Sequence, residues 1–580
     1  MKFLSKKIVN LVLKTISNLK NLIDERIQVN KFKSYNKKYF KQKIDYDNKK
    51  ILVEFNAFTS NHIILANFAN FYRKKFNAKI IAFFNYSLVS SPINFDLKRN
   101  IKWFLGSLLS FNFFSIYKSF NVKNFIRPKS NKELENISLD YFRELSTRIK
   151  STEDVLKIKI DDIFVGDLIL DGYLYYNKVP TVDFKSKSFQ KYLYESILLF
   201  NFWKIYFERN NVVCVIGVVA TYAYGIIIRI AINNNIDVIA NHGGKVQRLS
   251  KKDLYANSEF RYFKRIFKKM NKLDQIKAIE LADEFLKKRF EGRVGIEINE
   301  PRITTSPYSM PYNKNINVLN KTEKLKVIIF PHDLNDCSNG QGLNFFPTYY
   351  DWLETIVKIS KETDYEWYAK NHPKFKGKFE KYQTYSYKIT EELFSQNSKI
   401  KILPHDTSHH QIIGEKINFG LTVNGDVAFE YAYFGIPILT ATNNSDTSNY
   451  NFNIHSSSKE DYINKIKNLD RQSVKISKND ILESYFMMNF YSNEISLLGN
   501  YFDLLISDKK NLYYDTYFTK KIYYELLKNW SDEMQISLEN TIKNFINSKD
   551  YFLSHKHNST QLNQLISFFK SNLTYRNNIK

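Results

Sequence analysis

The stretch FGLTVNGDVAFEYAYFGIPIL, Phe419 to Leu439, contains three hydrophobic patterns in succession. Phe419 to Val423 is an apolar run typical of a buried strand, and Asn424-Gly425 ends it with a turn. A short helix is predicted from Asp426 to Phe434, because a glycine and then a proline follow it. The apolar run Ile436 to Leu439 predicts a second strand. This order predicts a βαβ unit of an α/β domain.

Such a unit presents backbone N–H groups and a helix N-terminus to a bound phosphate. Glu430 lies one helical turn after Asp426, so both carboxylates are predicted beside the same ligand. An ordinary βαβ unit with solvated acidic side chains remains the alternative, since one glycine turn is a weak signal.

The composition predicts a folded intracellular protein of several domains. A chain of 580 residues is too long for one core, and 43% hydrophobic with 16% aromatic residues excludes a disordered chain. Cys214 and Cys337 are too few for a disulfide framework and fit a reducing cytosol. Neither lies in a Cys-x-x-Cys pattern, so no structural zinc site is predicted.

The formal charge of +27 favours an anionic partner. The basic residues are scattered through a Lys- and Asn-rich chain, with no long basic run and no Arg-rich recognition helix. Nucleic acid is therefore not predicted as a partner, and an anionic membrane surface or an acidic glycan is favoured.

The N-terminal segment, residues 1–50, begins with apolar residues at helical spacing between lysines, from Met1 to Ile27. The lysines interrupt any run long enough to span a bilayer, and no cleavage site of a signal peptide follows. A basic amphipathic helix on the inner face of a membrane is one interpretation, and a helix packed on the protein is the other.

Residues 51–295 alternate between strand and helix patterns, which predicts a doubly wound parallel sheet. The predicted strands are Ile51–Phe55, Lys79–Phe84, Val212–Ile216 and Ile236–Ala240. Open α/β sheets bind ligands at the carboxyl ends of their strands, where His62 and His242 are predicted to lie. Both are candidate site residues, although packed or capping histidines fit equally well.

A linker is predicted at 296–322, followed by a second α/β domain at 323–497 and a helical C-terminal extension at 498–580. The strand Lys326–Phe330 is followed by His332 and Asp333, and Glu366–Ala369 is followed by Lys370 and His372. These side chains are predicted at the same sheet edge as the turn Asn424-Gly425-Asp426.

Four segments carry a family resemblance: GDLILDGYLYY (Gly166–Tyr176), FPHDLND (Phe330–Asp336), AKNHP (Ala369–Pro373) and TVNGDVAFEYAYFGIPIL (Thr422–Leu439). With their spacing they resemble GT-B glycosyltransferases of bacterial capsular or O-antigen polysaccharide biosynthesis, related to Kdo- and sialic-acid-type transferases. The resemblance covers roughly residues 165 to 445. It implies two Rossmann-like, doubly wound domains that face a cleft.

The resemblance also implies roles for residues of the second half. His372 and the turn Asn424-Gly425-Asp426 would hold the donor phosphate, and Glu430 matches a glutamate that grips the nucleotide ribose. Gly425-Asp426 replaces the paired serines of the family, which leaves the nucleotide open, with CMP among the options. Lys370 would add positive charge without a metal, and no metal or cofactor is expected beyond the nucleotide-sugar co-substrate.

The catalytic base is expected from the first half, across the cleft from the donor. Asp171 is favoured because it lies in the family-like segment near a predicted strand end, and Asp167, His62 and His242 are the other candidates. His332 and Asp333 are expected to contact the donor sugar or the acceptor. A structural role of Asp171 in a turn or cap remains the alternative.

The sequence therefore predicts a cytoplasmic glycosyltransferase, with peripheral contact to the inner membrane face left open. It would move a sugar from a nucleotide donor to a growing surface polysaccharide or a lipid-linked glycan. A CDP-alditol polymer transferase, a nucleotide-sugar epimerase and a non-catalytic member of the polysaccharide machinery remain alternatives.

Overall fold

The computed structural model describes residues 25–85, 87–89, 96–110, 112–242, 245–293, 306–309, 312, 315–372, 380–396, 399–492, 520–554 and 557. The described strands are β1 (Lys49–Glu54), β2 (Lys79–Phe83), β3 (Val122–Ile126), β4 (Lys159–Ile160), β5 (Ile163–Phe164), β6 (Asn211–Gly217), β7 (Asp237–His242), β8 (Lys245–Leu249), β9 (Lys326–Ile329), β10 (Glu366–Ala369), β11 (Ile400–Ile402), β12 (Phe419–Thr422) and β13 (Ile438–Thr440).

The described helices of the first half are α1 (residues 25–40), α2 (Thr59–Phe76), α3 (Leu97–Leu109), α4 (Asn112–Ser119), α5 (Lys132–Arg148), α6 (Thr152–Leu156), α7 (Gly166–Asn177), α8 (Lys187–Arg209), α9 (Tyr224–Asn233), α10 (Phe260–Lys269) and α11 (Lys272–Phe290). Those that follow are α12 (Tyr349–Glu362), α13 (Glu380–Ser395), α14 (His409–Gly414), α15 (Val427–Tyr433), α16 (Lys459–Lys467), α17 (Lys478–Phe486), α18 (Lys521–Leu527) and α19 (Asp532–Ser548).

The two halves each contain a doubly wound sheet. The first has the strand order β3-β2-β1-β6-β7-β8, in which only β8 is antiparallel to its neighbour. The second has the order β11-β10-β9-β12-β13 and is parallel throughout. In each sheet the winding direction reverses beside the first strand, between β1 and β6 and between β9 and β12. The predicted α/β class, with two Rossmann-like doubly wound domains, is confirmed.

The βαβ prediction for Phe419 to Leu439 is confirmed with small shifts of its bounds. β12 and β13 are parallel neighbours with α15 between them. Gly435 ends the helical segment with a φ of +81°, a left-handed conformation that glycine adopts without steric cost.

The prediction of a strand end near Asp171 is wrong, because GDLILDGYLYY forms most of helix α7. Residues 166 to 174 are all buried, so the helix has no polar face that would reveal its period. The edge strands β3 and β8 were not predicted either. Edge strands carry fewer buried apolar residues, and β3 has only Val122 buried.

Helices that follow the second sheet in the chain pack against the first half. Lys478 on α17 pairs with Asp283 of α11 at 2.9 Å, and Phe486 packs beside Phe267 of α10. The C-terminal helices α18 and α19 contribute Tyr523 and Phe545 to the core that contains β1 and α2. The described part of the predicted C-terminal extension, residues 520–554 and 557, thus contains two helices that pack into the core of the first domain.

Helix α1 buries Phe32 and Phe40 in that same core. Most of the predicted amphipathic helix Met1–Ile27 lies outside the described residues. Within the described part of the chain, no helix is both long enough and apolar enough to cross a bilayer.

A buried ion pair fixes α7 against α9. The Arg229 guanidinium donates to Asp167 at 2.7 Å, both side chains are 2% exposed, and Arg229 also donates to the carbonyl of Phe164. Asp167, a candidate base in the sequence, is therefore occupied by a structural contact. Removal of one partner from a buried pair leaves an uncompensated charge, which is strongly destabilising.

We expect Arg229→Met to lower the free energy of unfolding by about 3–5 kcal/mol, because Asp167 then lacks its partner. Arg209→Met is the matched control, since Arg209 pairs with Glu133 on the surface and such pairs contribute about 1 kcal/mol or less. Thermal and urea unfolding measure the difference. Equal melting of the two variants would contradict a structural role of this pair.

Candidate functional site

A pocket with a cavity volume of about 190 Å³ lies at the carboxyl ends of β9, β10 and β12, where the second sheet reverses its winding direction. Open α/β sheets bind ligands at this position. Its wall is formed by Arg289, Pro307, Phe330, Pro331, His332, Lys370, Asn371, His372, His409, Thr422, Gly425, Asp426, Val427 and Glu430. Of the predicted donor-binding residues, Asn424 and Asp333 alone are absent from this wall.

Lys370 supplies a buried cation at the end of β10. Its side chain is almost fully enclosed, and its Nζ donates to the carbonyl of His405 at 3.3 Å. Burial lowers the pKa of Lys370 to about 8, while the negative charges of Asp406 and Glu430 oppose the shift. An anionic ligand in the pocket would favour the charged form of this amine.

Glu430 is held by two residues that the sequence did not indicate. Its Oε1 accepts from Arg289 Nε at 2.9 Å, and its Oε2 accepts from the Tyr308 hydroxyl at 3.0 Å. Arg289 comes from the last turn of α11, and Tyr308 comes from the predicted linker. Glu430 therefore lies in the pocket wall as predicted, with both carboxylate oxygens already engaged.

His332 is a neutral acceptor in the described structure. Its Nε2 accepts from the backbone N–H groups of Val423 at 3.2 Å and Asn424 at 3.4 Å. A nitrogen that accepts these bonds carries no proton, and burial lowers the pKa of His332 to about 4. The ring also stacks on Tyr349, with centroids 4.6 Å apart.

This geometry corrects the expected phosphate site. The N–H of Asn424 is used by His332, and the N–H of Gly425 donates to Thr422 Oγ1 at 3.3 Å. The N–H donors of the turn after β12 are thus already bonded, to His332 and to Thr422. A phosphate at this turn would have to replace those contacts.

Asp426 begins helix α15 without capping it, since its side chain makes no hydrogen bond to the helix N-terminus. Asp426 is exposed to solvent and lines the pocket. The surrounding protein raises the pKa of Asp426 to about 6, the charge of Glu430 adds to the shift, and Arg289 opposes it. This carboxyl group can change its protonation state near neutral pH.

The remaining second-half candidates occupy different positions. His372 lines the pocket and is exposed, and its carbonyl accepts from the hydroxyl of Tyr387. Asp333 lies outside the wall, where its Oδ1 accepts from Ser386 at 2.6 Å. His409 lines the pocket although it was not predicted, and its ring hydrogen-bonds to the Tyr431 hydroxyl at 2.8 Å.

Asp171 joins the two halves and does not line the pocket. Its Oδ2 accepts from the backbone N–H of Asn339 at 2.9 Å and from Cys337 Sγ at 3.1 Å, and its Oδ1 accepts from Asn339 Nδ2 at 3.1 Å. Burial raises the pKa of Asp171 to about 7. The expectation of a base at this position is corrected to a structural contact between α7 and the loop after β9.

His62 is likewise structural. It lies fully buried in the first turn of α2, where Nδ1 contacts the Tyr523 hydroxyl and Nε2 contacts the carbonyl of Asn56 at 3.1 Å. Both ring nitrogens are engaged, and burial lowers the pKa of His62 to about 4. His242 is the last residue of β7, and its side chain lies outside what the structure describes.

No metal site is formed by three or more histidine, cysteine, aspartate or glutamate side chains within the described ranges. In the pocket wall Arg289 and Glu430 are paired with each other, and Lys370 donates to a carbonyl.

No protein-family model and no curated protein matches this sequence. Among solved structures, the chain is similar to a UDP-GlcNAc 2-epimerase from Methanocaldococcus jannaschii at 12% identity, over 76% of this chain and 99% of that one, with a TM-score of 0.22. A glycosyltransferase from Rickettsia africae ESF-5 overlaps at 12% identity, over 84% and 100% of the chains, with a TM-score of 0.23.

A ugt transferase from Siraitia grosvenorii, in complex with UDP, overlaps at 11% identity over 83% of this chain and 100% of that one, with a TM-score of 0.19. TM-scores of this size carry no argument about function. The fold assignment rests on the strand orders of the two sheets.

The Asp171 contact predicts a pH-dependent contribution to stability. An aspartate has an ordinary pKa of about 3.9, so the folded protein holds an extra proton between about pH 4 and pH 7, and the contribution to stability falls as the pH rises through that range. Asp171→Asn cannot ionise, so we expect its melting temperature to fall less from pH 5 to pH 8, by on the order of 2–5 °C.

Differential scanning fluorimetry across this range measures the effect. Asp364→Asn is the control, because Asp364 is an exposed residue that pairs with Lys324 on the surface. Parallel curves for wild type and Asp171→Asn would show that Asp171 does not titrate in this range.

Proposed function

We propose that the protein is a glycosyltransferase that moves a sugar from a nucleotide donor to a growing surface polysaccharide or a lipid-linked glycan. The observation that carries the proposal is the buried cation Lys370, in a pocket at the winding reversal of the second of two doubly wound sheets. The sequence resemblance to polysaccharide transferases supports the same activity and the surface-glycan acceptor.

The pocket chemistry suits a departing nucleotide phosphate. Negative charge develops on that phosphate as the glycosidic bond breaks, and a positioned cation stabilises it. Lys370 would hold the phosphate with its ammonium group, and His372 would contribute from the exposed rim. Both oxygens of Glu430 already accept hydrogen bonds, so Glu430 would hold Arg289 in the pocket wall instead of contacting the donor.

Asp426 replaces Asp171 as the proposed base. Transfer requires a group that takes the proton of the acceptor hydroxyl, and a base is effective when its pKa lies near the working pH. Asp426 is exposed in the pocket wall, and the surrounding protein raises its pKa to about 6. Lys370 would then stabilise the leaving phosphate, and Asp426 would take the proton of the acceptor hydroxyl.

The carboxyl group of Asp426 in the pocket wall also favours a second function, that of a nucleotide-sugar epimerase. A carboxyl group that titrates near neutral pH can remove a proton from a sugar carbon and return one, and this chemistry needs no acceptor. Donor binding by Lys370 would be identical in both functions, so they differ only in the bond that is broken next.

The first experiment is a thermal-shift panel of CMP, CDP, UDP and GDP compounds. We expect one nucleotide to stabilise the protein, with Lys370→Met weakening its affinity about 10- to 100-fold through loss of a charge-assisted hydrogen bond. The wild-type affinity should fall as the pH rises above about 8, where the free amine loses its proton, and Lys370→Met should lack this dependence.

Lys324→Met is the matched control, because Lys324 forms a surface pair with Asp364 and lies away from the pocket. If none of these nucleotides raises the melting temperature of the protein, the proposed glycosyltransferase function is wrong.

Incubation of the protein with the bound nucleotide sugar in D₂O separates the two activities. Proton NMR should show nucleotide release that depends on an added glycan or lipid-linked acceptor, with no deuterium on the sugar ring, and Asp426→Asn should lose this release. Deuterium on a ring carbon without an acceptor would instead establish epimerisation.

A further inference from the structure

Helix α3, Leu97–Leu109, exposes its apolar side. Leu97 is 76% exposed, and Phe104 and Leu108 are each 63% exposed. Ile101, Leu105 and Leu109 are also exposed. At 3.6 residues per turn these six side chains fall within an arc of about 140°. A surface helix of a globular protein normally turns such a stripe towards the core.

The opposite side of the helix fixes this orientation. Trp103 packs between Phe55 and Phe84, with ring centroids at 5.4 and 5.6 Å. Gly106 is buried against Phe114, where a Cβ atom would come within 2.6 Å of the ring. The helix is therefore anchored through the ring contacts of Trp103 and the close approach of Gly106 to Phe114, and its apolar stripe faces outward.

The charged residues within α3 are all basic. They are Lys98, Arg99 and Lys102, and Asp96 caps the N-terminus of the helix. At 3.6 residues per turn Lys98 falls within the apolar arc and Lys102 borders it. Lys118 of α4 donates to the carbonyl of Ser107 and to Ser110, so the end of the helix is basic too. A helix with an apolar stripe and flanking basic residues binds the interface of an anionic bilayer.

We propose that α3 is a membrane-docking helix whose apolar stripe enters the headgroup region of an anionic lipid bilayer. The one-sign charge of the helix and the chain's formal charge of +27 complement such a surface. A second copy of this chain would bring the same basic residues together, which opposes self-association through this face.

Helix α3 lies beside the first sheet, at the edge where β1 and β2 end. Phe55 and Phe84 directly follow β1 and β2, so α3 lies at the carboxyl edge of the sheet, the edge at which open α/β sheets bind ligands. Docking through α3 places this edge beside the lipid headgroups. A lipid-linked acceptor would therefore reach it from the bilayer, an extension that rests on the proposed function, whereas the membrane contact does not.

Flotation of the full chain with vesicles tests the contact in the absence of nucleotide. We expect binding to phosphatidylcholine vesicles that contain phosphatidylglycerol, and about tenfold or more weaker binding for Phe104→Ser/Leu108→Ser, which removes two inserted side chains. Leu273→Ser/Ile536→Ser is the matched control, because those side chains are each 60% exposed on other helices, and it should bind as wild type does.

Lys98→Gln/Lys102→Gln should lose the preference for phosphatidylglycerol and keep its melting temperature. Equal flotation of wild type and Phe104→Ser/Leu108→Ser would overturn the proposal and assign any membrane binding to another segment. Light scattering that shows a wild-type dimer and a monomeric Phe104→Ser/Leu108→Ser protein would also overturn it, in favour of a second copy. Nucleotide binding by that variant in solution stays as in wild type, so a failure here is distinct from a failure of the proposed function.

Discussion

The buried ion pair between Arg289 and Glu430 is the contact on which the pocket depends. Its guanidinium comes from the last turn of α11 in the first half, and its carboxylate comes from α15 in the second. The hydroxyl of Tyr308, from the segment between the halves, completes the cluster. Charges this deeply enclosed require their partners, so the cluster fixes α11 against α15 and makes the first half part of the pocket wall.

The surrounding protein shifts the pKa values of Lys370 and Asp426 in opposite directions. It lowers the pKa of Lys370 and raises that of Asp426, so the empty pocket disfavours both charges. A bound phosphate would favour the protonated form of each group. Binding of an anion is therefore expected to be coupled to proton uptake by these two groups.

The sequence predicted the elements with regular patterns. Strands with continuous apolar runs were found, as was helix α15, which a glycine and a proline follow, and Gly425 and Asp426 of the turn after β12 line the pocket. Helix α7 was missed because burial on every side removes the polar face that reveals a helical period. The doubly wound fold followed from the alternation of elements, which needs no knowledge of long-range contacts.

The sequence predicted the site residues that follow strands and missed those that other parts of the fold bring to the pocket. His332, Lys370 and Asp426 follow strand ends, and strand ends can be located from local sequence. Arg289 and Tyr308 reach the pocket from a helix end and a connecting segment, and only the packing of the two halves brings them there. The roles of Asp171 and His62 depended equally on distant partners, Asn339 and Tyr523.

The packing of α18 and α19 against α2 bears on how the chain acquires its structure during synthesis. Tyr523 contacts His62, Gln535 bonds to Asn67, and the backbone of Leu553 donates to Val246 on β8. The first domain thus contains residues that the ribosome adds only after the second domain has been made. Domains usually fold in the order of synthesis. Here the second domain has its full sequence first, and the core of the first domain closes last.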